Sequence, residues 1–408
     1  MNKIIFTSYN WLENNKKLVC FFIILFALLK FIYLNYLNWN YGTLCTGYGG
    51  IQYGCDSNRY LEGAENLIQG KGIIGYRNAY VGYMAIIALG KILGLGLGFT
   101  LAVQIIVALL ASIAFNYLIQ SITKSKTAGI LGACFYLSSP YIVTWILFIH
   151  TESIYSSMLI ILAWSLNKSL QKQTFRNYFI LFISLVFIST LRPNGWILIP
   201  ISLFFIIHYS NIVIRSKTMI YLSLFIGFLL VMNYSPWFSK NRELDGLHQL
   251  ISKGQIICDK KTYHLPMPKE TFSNKNDLIE SFKYIVKHPF SFIKLASLRV
   301  ASELFPIYRP WLTTQFIIRF NLWMIPVYFF TLSSLYFIKK NRGLKIIITF
   351  LFAHLLIIAF SFSEREFRFL TQILPLFYLA GTCGFYFILK KYILKNRRNL
   401  IQKKSPSK

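Results

Sequence analysis

Apolar runs approaching 20 residues recur along the whole chain, and no other feature limits its fold so severely. A helix needs about 20 apolar residues to cross a bilayer, because each residue advances it about 1.5 Å through some 30 Å of hydrocarbon. With 55% hydrophobic and only 14% charged residues over 408 positions, one soluble core cannot hide this much apolar surface. The sequence therefore predicts an all-α polytopic membrane protein. About ten transmembrane helices are expected, at 18–37, 100–120, 127–146, 153–168, 178–191, 196–212, 218–237, 318–338, 345–362 and 370–389. The run from Leu18 has no small-residue cleavage site after it and is expected to stay as an anchor.

The formal charge of +29 does not indicate nucleic acid, since the basic residues form short clusters between apolar runs and no basic domain. They read as topology signals: Lys and Arg in short loops mark the cytoplasmic side. Segment 79–98 decides the assignment. If it does not cross, then Lys16/Lys17, Lys124/Lys126, Lys168/Lys172/Arg176, Arg215/Lys217, Lys339/Lys340/Arg342/Lys345 and the tail from Lys390 all lie inside. We read it as a half-immersed helix packed against protein. Both termini are then cytoplasmic, and all 14 acids except Glu13 face outward. The chain divides into an N-terminal membrane domain (1–237, with a first outer loop at 38–99), a long outer loop (238–317), C-terminal spans (318–389) and a basic tail (390–408). High Ile, Lys, Asn and Phe usage points to an AT-rich, bacterial genome and a cytoplasmic membrane.

Residues 55–72, CDSNRYLEGAENLIQGKG, combine charge, glycine and a helix signal in the first outer loop. Asp56 or Ser57 can cap a helix with apolar Tyr60, Leu61, Ala64, Leu67 and Ile68 on one stripe. Asp56 is either only a helix cap or a reactive carboxylate at the water boundary. FIHTESIY puts His150 and Glu152 at the outer end of a span, as a solvated end-of-helix acid or a functional one. In LRPNG, Arg192 is an interface anchor or a phosphate ligand. SEREFRFL crowds Glu364, Arg365, Glu366 and Arg368 between the last two spans; they pair internally, or Arg365 and Arg368 grip an anion. In the long loop, two amphipathic helices broken at Pro289 lie on the surface, with Ile279, Phe282, Ile285 and Val286 on one stripe. His248, His264 and His288 lack metal spacing. Cys45 and Cys55 could pair in an oxidising compartment or stay reduced.

These pieces together resemble the membrane-embedded glycosyltransferases of the C superfamily, in particular the bacterial relatives of protein mannosyltransferases and of the aminoarabinose transferases of lipid A. DSNRYLEGAENLIQGKGI is similar to the family's first-loop pattern. TESIY is similar to its acid at the start of a later span, YIVKHPFSFIKLASLRV to a segment of its long outer loop, and REFRFLTQILPLFYLAG to its closing pattern. Ser57 departs from it, standing where many members carry a second acid. The resemblance implies a polyprenyl-phosphate-linked sugar as donor, a glycan, lipid or protein acceptor, and an outward-facing reaction with membrane lipid around it. It makes Asp56 the catalytic base or acceptor-orienting carboxylate. Arg368 and Arg365 become contacts to the carrier phosphate, with Arg59, Glu152 and Arg192 as further substrate-binding candidates. No cofactor is required by the sequence, and a divalent metal is left open. Two other readings remain: a transporter or flippase of a lipid-linked saccharide, whose ionisable groups would line a path through the membrane, and a polymerase or ligase of surface polysaccharide.

Overall fold

A computed structural model of the chain describes residues 16–41, 50–54, 56–72, 75–209, 247–258, 263–270, 277–306, 312–363 and 367–404. The expected span at 218–237, Cys45, Cys55, Glu364, Arg365 and Glu366 lie outside the described residues. Among the described residues the architecture is helical, with only isolated β-bridges. Helix α1 runs over Lys16–Tyr41, α2 over Ser57–Ile68, α3 over Val81–Ile92, α4 over Gly96–Thr123 and α5 over Lys126–Leu137. The short α6, Pro140–Val143, leads into a tight turn at Thr144–Leu147. Then follow α7 (Glu152–Gln171), α8 (Phe175–Leu191), α9 (Leu198–Tyr209), α10 (Leu247–Ser252), α11 (Asp277–Lys287) and α12 (Pro289–Leu304). The last three are α13 (Thr314–Leu335), α14 (Arg342–Phe360) and α15 (Arg368–Lys404).

Five of these helices are long and apolar enough to cross a membrane: α1, α4, α13, α14 and the first part of α15. Lys126–Leu137 with Pro140–Leu147 makes a sixth if that pair, bent by 51° at Ser138–Ser139, is one span. Among the described residues, length and composition thus mark five or six of the ten expected spans. Of the other expected spans, 178–191 falls in the 17-residue α8, 196–212 is described only as far as Tyr209, and α7 carries Glu152, Lys168 and a row of serines. Large apolar side chains face outward on the long helices, among them Phe21, Phe22, Phe26 and Ile32 on α1 and Ile106, Leu110 and Ile113 on α4. Such a surface suits hydrocarbon and not water. At the centre lies α7, with nearly every residue from Glu152 to Leu170 buried, packed between α4, α8, α14 and α15.

Segment 79–98 forms no span of its own. Helix α3 has 12 residues, too few to cross, and lies antiparallel along the start of α4. Gly90 meets Phe99, and the Tyr83 hydroxyl donates to Gln104 Oε1 at 3.3 Å. Helix α2 runs parallel to α3, with Tyr60 on Tyr80 and Tyr83, Gly63 against Met84 and Glu65 paired to Lys91 at 2.9 Å. With 28 residues α4 is about 42 Å long, more than a bilayer needs, and its first turns stand beside α3.

The two ends of the bundle differ in charge. Asn167 on α7 donates to Ser121 on α4 at 2.8 Å, and Arg342 donates to the Leu170 carbonyl at 2.5 Å. These bonds bring the α4–α5, α7–α8 and α13–α14 turns together, with Lys124, Lys126, Lys168, Lys172, Lys339 and Lys340. Glu152 and Arg368 start α7 and α15 at the opposite end.

Candidate functional site

Asp56 is brought to its place by a short pairing between two connectors. Gln52 N–H donates to the Leu147 carbonyl and Ile149 N–H to the Gln52 carbonyl, each at 3.0 Å, a parallel bridge that lays 50–54 beside 147–149. Ser57 completes it: its hydroxyl accepts from Gly54 N–H at 2.9 Å and donates to the Ile149 carbonyl at 3.0 Å. Gly54 has to be glycine here, since a Cβ would stand 2.4 Å from His150 Nε2. Gln104 reaches in from α4 and donates to the Ile146 and Phe148 carbonyls. Ser57, the departure from the resembled pattern, is thus fully buried and structural.

Asp56 sits at the N-cap position of α2, yet its side chain makes no cap hydrogen bond. The cap reading is therefore incorrect. Its Oδ2 accepts from Arg368 Nη2 at 2.6 Å, and its Oδ1 lies 3.3 Å from Arg59 Nη1. Burial pushes the Asp56 carboxyl up, but Arg368 first and Arg59 second outweigh it and hold it below the usual aspartate value.

Glu152 is the hub. It is 0% exposed, and its Oε1 accepts from both Arg368 Nε and Arg192 Nη1 at 2.7 Å. Arg192 also donates to Thr151 Oγ1 at 2.9 Å and is 5% exposed. A solvated acid and a snorkelling anchor are both ruled out by this burial. His150 Nδ1 lies 3.3 Å from Glu152 Oε2, and its ring is held by Tyr60, Trp145 and Phe148.

Arg368 opens α15, and the residue before it carries backbone strain. Phe367 has φ 57, a left-handed conformation that bulky side chains rarely adopt. Its ring stacks on Phe320 at 5.4 Å and on Phe316 at 6.3 Å, which holds the kink. Glu303 on α12 fixes the same turn, accepting from Leu370 N–H at 2.8 Å and from the Ser363 hydroxyl at 2.6 Å. The aim of Arg368 is therefore set from both sides.

Of the expected site residues, Asp56, Arg59, Glu152, Arg192 and Arg368 meet in one cluster. Tyr60, Tyr80, Gln104 and Thr151 around it carried no sequence signal beyond helical spacing. These five charged side chains comprise three guanidinium groups and two carboxylates, a set with one positive charge over. An anion suits that surplus. A divalent metal does not: both carboxylates already face guanidinium groups, and among the described residues no group of three His, Cys, Asp or Glu side chains gathers to hold one. No protein-family model matches the chain, and no curated protein matches it.

Proposed function

We propose that the chain is a membrane glycosyltransferase of the C superfamily, with about ten crossings. It moves a sugar from a polyprenyl-phosphate donor to an acceptor hydroxyl on the extracytoplasmic side of a bacterial cytoplasmic membrane. The bond from Asp56 to Arg368 supports this most directly, because it puts one carboxylate and one phosphate-gripping side chain at a common point. The gathering of basic turns at the far end of the bundle supports an outward site through the positive-inside rule.

The chemistry follows from these groups. The acceptor oxygen attacks the sugar's anomeric carbon while the bond from that carbon to the phosphate oxygen breaks, its electron pair leaving with the phosphate. Arg368 and Arg59 meet the negative charge that collects there. The acceptor proton passes to the Asp56 carboxylate. A depressed carboxyl is a weak base, but the attacking hydroxyl becomes strongly acidic as its new bond forms, so a weak base suffices. Phosphate is a good leaving group, and no second carboxylic acid has to protonate it. Glu152, enclosed by Arg192 and Arg368, orients the guanidinium groups.

Among the described residues the membrane-crossing helices carry no carboxylate in their interiors, which favours chemistry at one face over a translocation path. The test is a transfer assay with purified chain, a labelled polyprenyl-phosphate sugar and candidate acceptors, with the product's anomeric configuration determined. Inversion supports the reading. Retention of configuration, or movement of the intact donor across vesicles without transfer, overturns it.

A further inference from the structure

Lys30 lies inside the apolar helix α1, about 16 Å of helix rise before Tyr41, where a cation is costly unless it serves a purpose. It does not extend along the helix towards water. Its ammonium stands over the Trp323 ring on α13, 5.5 Å from the centroid. That indole is fixed: Phe135 stacks on it at 4.8 Å, so Lys30 takes the other face, and the indole N–H donates to the Tyr378 hydroxyl at 3.0 Å. Tyr378 is held in turn by Ser139 at 2.8 Å.

One turn before Trp323 on the same face of α13 stands Arg319, its side chain exposed. Among the described residues neither Lys30 nor Arg319 pairs with a carboxylate. One cation thus lies over an immobilised aromatic ring, and a second stands one helical turn from that ring within the apolar shell. Arg319 is followed by Phe320, whose ring stacks on Phe367, the residue before Arg368.

We propose that Lys30 and Arg319 form a second anion station on the lipid side of the site, holding the phosphate of the lipid-linked donor as it approaches Arg368 from the bilayer. The proposal rests on the transferase reading for its ligand and on Lys30, Trp323 and Arg319 for its place. The ligand class is a long-chain lipid carrying a terminal phosphate. A common phospholipid headgroup shares that chemistry and has to be separated by experiment.

The experiment uses the full chain in phosphatidylcholine nanodiscs, titrated with polyprenyl phosphate and, separately, with phosphatidylglycerol. Lys30→Met and Arg319→Gln should each weaken polyprenyl phosphate binding about ten-fold, the cost of one charge-assisted contact, and leave phosphatidylglycerol unchanged. Lys30→Arg should keep parental binding. Unchanged polyprenyl phosphate affinity in both variants overturns the site, and equal weakening for both lipids reduces it to a headgroup contact. Because no sugar is present in the binding assay, the two readings fail separately. Binding through Lys30 and Arg319 without any transfer activity removes the transferase and leaves the site, whereas transfer at parental KM in both variants does the reverse.

Discussion

Asp56 Oδ2 and Arg368 Nη2 lie 2.6 Å apart and 312 residues apart in the chain. The first outer loop and the last span therefore close on each other, and Glu152 fixes the junction through Arg368 Nε at 2.7 Å. Arg368 holds two carboxylates with two different nitrogens, which a planar fork permits and a point charge does not.

Arg368→Lys tests that geometry. The ammonium cannot serve Asp56 and Glu152 together, so sugar transfer should fall about 100-fold, the scale of losing one preorganised group on a developing anion. The variant should still be recovered folded from membranes. Transfer within a factor of two of the parent would show that charge alone suffices.

Glu152→Ala should be the most destabilising single change in the cluster, by about 3–5 kcal/mol, because it leaves two buried guanidinium groups without their carboxylate. Melting of the purified protein in detergent measures it. Glu65→Gln is the control: its pair with Lys91 is exposed, and the melting temperature should not move.

Ser57→Ala should cost about 1–3 kcal/mol and lower transfer, since the hydroxyl joins the Gly54 amide to the Ile149 carbonyl and so sets the distance from Asp56 to Glu152. Gly54→Ala should be worse still, its Cβ being driven into the His150 ring. A thermal-shift series on the two variants checks the order.

Much of this site was legible before any coordinates. Asp56, Glu152, Arg192 and Arg368 are charges beside apolar runs, and a charge in such a setting has to be hydrated or paired. What the residues could not show was the choice between those outcomes. Whether Asp56 capped its helix depended on the bridge from Gln52 to Ile149, a contact between segments far apart in sequence. Ser57 looked like the absence of an acid and is a buried strut. Lys30 was hidden by its own apolar surroundings, and the strain at Phe367 exists only as a backbone angle. The number of crossings was less legible, because α8 is apolar but only 17 residues long and α7 is polar on faces it buries, so length and composition alone mark five or six spans among the described residues.

The depressed Asp56 carboxyl has a pH consequence with a definite sign. Its folded value lies below the ordinary 3.8, so its contribution to stability is fully present above about pH 4 and is lost as the pH falls through the lower, folded value. Melting temperature should therefore decline in acid more steeply for the parent than for Asp56→Asn. Parallel curves for the two proteins would mean that Asp56 titrates alike folded and unfolded.

The most direct measurement is turnover of a labelled polyprenyl-phosphate sugar by the Asp56→Asn variant, beside its melting temperature at neutral pH. The asparagine keeps the shape and one acceptor oxygen for Arg368 but cannot take a proton. Turnover at least 100-fold below the parent, from a protein that still folds, is the expected result. Parental turnover in a folded Asp56→Asn protein would contradict the account.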